Sequence, residues 1–217
     1  MTLQVQLRNL REAIARSAPR EVLDALARAD VELAAGGVAR RAARAGDRAP
    51  GFILTDADGQ TVCLSRLLAQ GPVVLSFYRG DWCPFCGLEL QALRDALPGI
   101  RELGANVVAI SAEAPADRQK AVSPSTPGLA MLSDPGCVVA RSYGVAYQPP
   151  VELRPTLEGF GYRAPPGDDG WWLPIPATYV IAPDGVIALA FVDTDFRNRL
   201  DPEDVTAALA CLRSRSA

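Results

Sequence analysis

The stretch Val73-Val74-Leu75-Ser76-Phe77-Tyr78-Arg79-Gly80-Asp81-Trp82-Cys83-Pro84-Phe85-Cys86-Gly87-Leu88-Glu89-Leu90 decides the fold. Val73 to Tyr78 is a continuous apolar run bounded by turn residues, the pattern of a strand buried on both faces. After Gly80-Asp81 the period changes: Cys86, Leu90, Leu93 and Leu97 recur at helical steps. Pro84 suits the first turn of that helix, where its missing N–H costs nothing. A strand running straight into Cys-x-x-Cys at a helix start has a chemical logic. The free amides and macrodipole of the helix N-terminus favour an anion, so a thiolate is stabilised there, and the thiolate is the nucleophile. The register predicts Cys86 facing the core and Cys83 at an exposed entry. Two small packed hydrophobes are the bland alternative; Trp82, Pro84 and the strand-to-helix position favour redox work.

Outward from this unit, strands and helices alternate. Upstream, Phe52-Ile53-Leu54-Thr55 and Thr61-Val62-Cys63 form a hairpin around Asp56-Ala57-Asp58-Gly59, then a short helix runs from Ser65 to Ala69. Downstream come a buried strand over Asn106 to Ser111, a polar helical stretch near 115–122, and a short strand at Leu129 to Leu132. Asp134-Pro135 reads as an N-cap and first-turn proline. Ala177 to Ala182 and Val186 to Val192 pair around Pro183-Asp184-Gly185, and Asp201-Pro202 opens a last helix. The order predicts an α/β three-layer sandwich, a mixed central sheet flanked by helices, and with Cys-x-x-Cys at a helix start it resembles the thioredoxin-like fold. Residues 46–217 form that domain, with an insert at about 145–176 too long for a plain connection. Its Phe160, Tyr162, Trp171 and Trp172 suit a ligand wall or a covering flap equally well. Residues 1–45 are a helical extension, separable from the domain, with Leu3, Leu7, Leu10 and Ile14 on one face and Val22, Leu26, Ala29 and Leu33 on another. Packing or homodimerisation explains them. Ile175-Pro176-Ala177-Thr178 places a proline just before a central strand, where this fold carries a cis-proline facing the cysteine pair.

Composition narrows the chemistry. The chain has 217 residues and no histidine, which excludes Ser-His-Asp and Cys-His catalysis and His-ligated metals. The five cysteines contain only one close pair, so zinc and other metals are not expected. Net charge is −3, which asks for neither nucleic acid nor an anionic membrane surface. The arginines at 8, 11 and 16 lie on a docked amphipathic helix rather than a transit peptide, and no secretory pattern precedes it. An odd cysteine count without a leader predicts a cytoplasmic protein with reduced thiols.

Ser76 to Leu90 resembles the peroxiredoxin-like branch of the alkyl hydroperoxide reductase and thiol-specific antioxidant superfamily. Leu132-Ser133-Asp134-Pro135-Gly136, Pro174 to Ile181 and Ala190-Phe191-Val192-Asp193 look like the same branch. The resemblance implies a thiol peroxidase without a cofactor. In that family a Pro-x-x-x-Thr/Ser-x-x-Cys motif supplies the cysteine that attacks peroxide. Cys86 falls on that cysteine, Cys83 on the hydroxyl residue, Arg79 on the proline, and Glu89 on a position where the family often has Glu. The family's second arginine would fall near Pro176 and is absent, leaving Arg79 or Arg163 as substitutes.

Two mechanisms follow. In one, Cys86 attacks the O–O bond, becomes a sulfenic acid and condenses with Cys83 to a local disulfide. In the other, Cys83 attacks a disulfide and Cys86 resolves it. Trp82, Pro84, Phe85, Arg79, Glu89, Pro176 and Thr178 are the supporting residues in either case. A thioredoxin-type or low-molecular-weight thiol is the expected reductant, and a peroxide or small disulfide the substrate. A redox-sensing module without turnover, or a tailoring enzyme acting on one metabolite, would use the same thiols. Cys137 and Cys211 are weak candidates for resolving thiols, with Cys137 also a candidate for a lowered pKa at a helix start; Cys63 reads as a strand residue.

Overall fold

The computed structural model describes residues 1–56, 58–113, 128–164 and 171–216. The helical stretch expected near 115–122 lies outside them. The N-terminal extension folds as α1 (Leu3–Ser17), α2 (Arg20–Ala35) and α3 (Val38–Arg41). Then come β1 (Ile53–Asp56), β2 (Thr61–Cys63), α4 (Leu64–Leu68), β3 (Val73–Phe77), α5 (Pro84–Glu102), β4 (Asn106–Ser111) and β5 (Leu129–Ser133). A 3₁₀ turn at Pro135–Cys137 leads to α6 (Val138–Ser142) and β6 (Ala146–Tyr147). A second 3₁₀ turn, Val151–Leu153, leads to α7 (Arg154–Gly159), β7 (Leu173–Pro174), β8 (Ala177–Ile181), β9 (Ile187–Val192) and α8 (Pro202–Ser216).

The central sheet has seven strands in the order β2-β1-β5-β4-β3-β8-β9. The pairs β3–β4 and β4–β5 are parallel, and the pairs toward both edges are antiparallel. Helices flank it as expected. Side-chain alternation along β3 sorts its residues between two cores. Val73, Leu75 and Phe77 join the core that includes Val38, Leu64 and Tyr143. Val74 and Tyr78 face α5 and meet Cys86, Leu90, Leu97 and Ile100, with Leu3 and Leu7 of α1 and Val205 and Leu209 of α8 in the same cluster. Burying one leucine is worth about 1.5–3 kcal/mol, so α1 is held to α5 by the Leu3 and Leu7 burial that its stripe predicts. The extension shares its core with the domain instead of standing apart from it.

Two local expectations change. Asp134 caps a helix, but not at the position expected. Gly136 and Cys137 both take left-handed conformations, with φ of 74° and 55°, so the turn begun by Pro135 breaks. The Asp134 carboxylate then reaches past it and accepts the N–H groups of Val139 and Ala140 at 3.0 and 2.9 Å. Cys137 is fully buried, and burial first, then the Asp134 charge, pushes its thiol up rather than down. Pro176 is trans: the described residues contain no cis peptide bond. Its neighbour Ile175 donates its N–H to Val145 O at 2.8 Å, so the insert's own strand anchors this junction.

Candidate active site

Cys83 is the N-cap of α5 and Pro84 its first residue. Cys86 follows inside the first turn, its sulfur beside Cys83. Cys83 is 1% exposed and Cys86 0%, so the expected exposed entry thiol is itself buried. The covering is aromatic and comes from outside the motif. Phe196 meets Phe85 edge-on at 5.7 Å, and Tyr162 meets Trp82 at 5.9 Å.

Glu89 lies one turn beyond Cys86 on the same face of α5 and is 2% exposed. Ser76 and Thr178 are partners in the β3–β8 register. Both point to the α5 side, and their hydroxyls donate to Glu89 Oε1 at 3.3 and 3.2 Å. Arg199 donates from Nε to Glu89 Oε2 at 2.5 Å and from Nη2 to Cys86 Sγ at 3.2 Å. Its remaining nitrogen donates to the carbonyls of Phe196 and Asn198. Every nitrogen of this buried cation is therefore engaged. Arg199 is held in place by its loop. Asp193 accepts the N–H of Asp195 and the amide of Asn198, both at 2.8 Å, and Asp195 accepts the N–H of Arg197 at 3.0 Å. Gln4 of α1 donates to Arg199 O at 3.0 Å.

Arg199 supplies the second arginine that the sequence lacked near Pro176. Arg163 does not substitute: its guanidinium bonds the carbonyls of Glu158 and Tyr162 at 3.0 and 2.9 Å. Arg79 contributes differently. Its backbone N–H lies 3.4 Å from Cys86 Sγ. Its guanidinium is stacked over the rings of Trp82 and Phe196, at 4.8 and 4.2 Å from their centroids. Pro176 lines a narrow cleft beside Arg79, Tyr147 and Ile175. Ser76, Phe196 and Arg199 carry no local sequence signal, because what places them is strand register and a loop 113 residues from Cys86.

The two thiols titrate as a pair. Burial pushes both up. For Cys83 the Cys86 hydrogen bond, then the Arg79 and Arg199 charges, overcome it and bring the thiol down to about 6. Cys86 is then raised, by burial first and by the neighbouring Cys83 next. The pair loses one proton easily and keeps the second. Burial raises the Glu89 carboxyl, against the Arg199 charge. Near neutral pH the site thus offers one thiolate and one thiol in contact, with an arginine on the inner sulfur and a second arginine stacked beside the outer one. That arrangement suits nucleophilic attack followed by condensation to a disulfide.

A cavity of about 600 Å³ opens on Cys83, Pro84 and Phe85. Its opposite walls are α1 and α2, together with Phe160 and Phe196. The N-terminal helices therefore contribute to the site, which the sequence did not indicate. Of Phe160, Tyr162, Trp171 and Trp172, Phe160 alone lines this cavity. Tyr162 packs under α2 in a third apolar cluster, with Trp171 packed against it, while Arg141 lies over Trp172.

Curated relatives include chloroplastic peroxiredoxin Q of Populus jackii, 30% identical over 158 residues, which are 73% of this chain and 62% of that protein. The wheat protein of the same name, from Triticum aestivum, is 36% identical over 110 residues, 51% of this chain and 48% of the relative. The chain thus matches less than two thirds of the length of these proteins. Among solved structures, peroxidoxin BcpB of Mycobacterium tuberculosis superposes with a TM-score of 0.58 at 27% identity, covering 79% of this chain and 97% of that one. Peroxiredoxin 6 of Arenicola marina superposes with a TM-score of 0.63 at 17% identity, over 80% and 75% of the two chains, a likeness of fold alone. The model of the AhpC/TSA family matches residues 45–190, a span that holds the strand, the cysteine pair and Glu89 but ends before Arg199, and the chain belongs to that family.

Proposed function

We propose that the protein is a thiol-dependent peroxidase that reduces a hydroperoxide at the Cys83–Cys86 pair. The observation that carries this reading is the arginine and amide on one sulfur: Arg199 Nη2 and the Arg79 N–H both point at Cys86 Sγ. Fixed donors of this kind stabilise a thiolate and the negative charge that develops in O–O cleavage. In this reading Cys86 attacks the distal peroxide oxygen. The O–O bond breaks, Cys86 becomes a sulfenic acid, and the alkoxide or hydroxide leaves and takes a proton. The Cys83 thiol displaces water from the sulfenic acid, forming the disulfide. A thioredoxin-type or low-molecular-weight dithiol returns the two electrons. A reducing compartment such as the cytoplasm would keep the pair supplied with dithiol.

A second order of attack has its own support. Cys83 lines the cavity and carries the lower pKa, which suits it as the first nucleophile, with Cys86 resolving. Treating reduced protein with one equivalent of peroxide in the presence of a sulfenic-acid trap distinguishes the two. Label at Cys86 in Cys83→Ser supports the first order; label at Cys83 in Cys86→Ser, with none in Cys83→Ser, supports the second. Peroxide consumption that persists in the double serine variant would remove the peroxidase reading altogether.

A further inference from the structure

We propose that α1 and α2 form a binding site for the carbon skeleton of a bulky, uncharged organic hydroperoxide, presented to the pair from the Cys83 side. The inference rests on the peroxidase reading and holds for either order of attack, because the two sulfurs are in contact. The cavity has about 600 Å³, within the roughly 300–1,000 Å³ typical of small-molecule sites. Hydrogen peroxide is little larger than water, whose share of liquid volume is about 30 Å³, and needs no such space.

The walls are apolar: Ile14 of α1, Val22, Leu23 and Leu26 of α2, and Phe85 and Phe196 opposite. Leu23 is the informative residue. It lies beside the apolar stripe of α2, belongs to none of the three packed clusters, and lines the cavity instead. Of the charged groups on these walls, Arg79 is stacked over Trp82 and Phe196, and the others are in ion pairs. Arg11 pairs with Asp195 at 3.1 Å, and Arg197 pairs with Asp30 and, at 2.6 Å, with Asp195. An uncharged skeleton fits such walls better than a carboxylate or phosphate would. Both helices precede residue 45, where the family match begins, so this wall lies outside the matched span. The chemistry balances as R–OOH plus two thiols giving R–OH, water and the Cys83–Cys86 disulfide, with an external dithiol restoring the thiols.

Ala15 and Ala27 are exposed residues on the cavity wall, so phenylalanine at both narrows it without entering the core. With dithiothreitol as reductant, kcat/KM is measured for cumene hydroperoxide and for hydrogen peroxide. The Ala15→Phe, Ala27→Phe variant should lose at least tenfold on cumene hydroperoxide and stay within twofold on hydrogen peroxide. Leu23→Gln, which adds polarity without bulk, should act in the same direction and serves if the double variant does not fold. A binding readout separates the two readings. Cumyl alcohol should change wild-type tryptophan fluorescence saturably through Trp82, and do so far more weakly in Leu23→Gln. Equal losses on both peroxides, or cumyl alcohol that does not bind, would overturn the cavity proposal. Saturable alcohol binding with no peroxide turnover would instead overturn the peroxidase reading and leave the site standing.

Discussion

Arg199 Nη2 lies 3.2 Å from Cys86 Sγ across a sequence separation of 113 residues, and its Nε holds Glu89 at 2.5 Å. One cation thus serves both the inner sulfur and the carboxylate that fixes it. Removing a donor aimed at developing charge costs about 10²–10³ in rate, and Arg199→Met should lose peroxide turnover by that order. It also strands a buried carboxylate, which costs about 3–5 kcal/mol. Adding Glu89→Gln should recover much of the stability in urea titrations and none of the rate. Recovery of rate in the double variant would contradict the role given to Arg199.

The shared proton sets a pH dependence. Cys83 is held at about 6, against an ordinary 9.0. Alkylation of the reduced protein by iodoacetamide should be half-maximal near pH 6 and level by about pH 7.5. Cys86→Ala removes the hydrogen bond that does most to lower Cys83, so the midpoint should move upward. The linkage has a definite sign. A folded-state value below the unfolded one stabilises the fold fully above about pH 9, and that contribution fades as pH falls through 6. Wild type should therefore gain stability over Cys83→Ala between pH 6 and 9, as read from thermal midpoints.

Thr178→Val and Ser76→Ala each remove one hydroxyl from Glu89 Oε1. Hydrogen bonds to a charged group contribute about 1.5–3 kcal/mol. Each variant should lose about that much in urea unfolding. The double variant should lose less than the sum, since the two hydroxyls share one acceptor oxygen.

Asp134→Ala tests a part of the fold remote from the sulfurs. Loss of a capping carboxylate costs about 0.5–2 kcal/mol, and each kcal/mol lowers Tm by about 2–4 °C at this size. Differential scanning calorimetry should show that drop, with peroxide turnover unchanged.

The element order and the strand-to-helix placement of the pair were legible because both are local: apolar runs, a first-turn proline and helical spacing. What stayed hidden is non-local. Arg199 sits on a loop folded by the Asp193 and Asp195 side chains, and nothing in its surroundings names Cys86 as its target. Cys83 was expected at an exposed entry because the motif alone exposes it. The aromatic covering includes Phe196, 113 residues past Cys83. The fold suggests a cis-proline at Pro176, and the structure has that junction in trans. The α1 stripe predicted docking correctly, while the cavity-facing side of α2 looked like more of the same stripe.

The pairing of Ser76 with Thr178 has a consequence for how the chain reaches its final form. Side chains alternate faces along a strand, so a slip of one residue between β3 and β8 would turn one hydroxyl away from Glu89 and bring an apolar side chain in its place. A misaligned sheet would then enclose a carboxylate with one donor fewer, and α5 would seat less well against it. Glu89 thus acts as an inspector of strand alignment: the conformation that closes over the sulfurs is the one whose two central strands are already correctly matched.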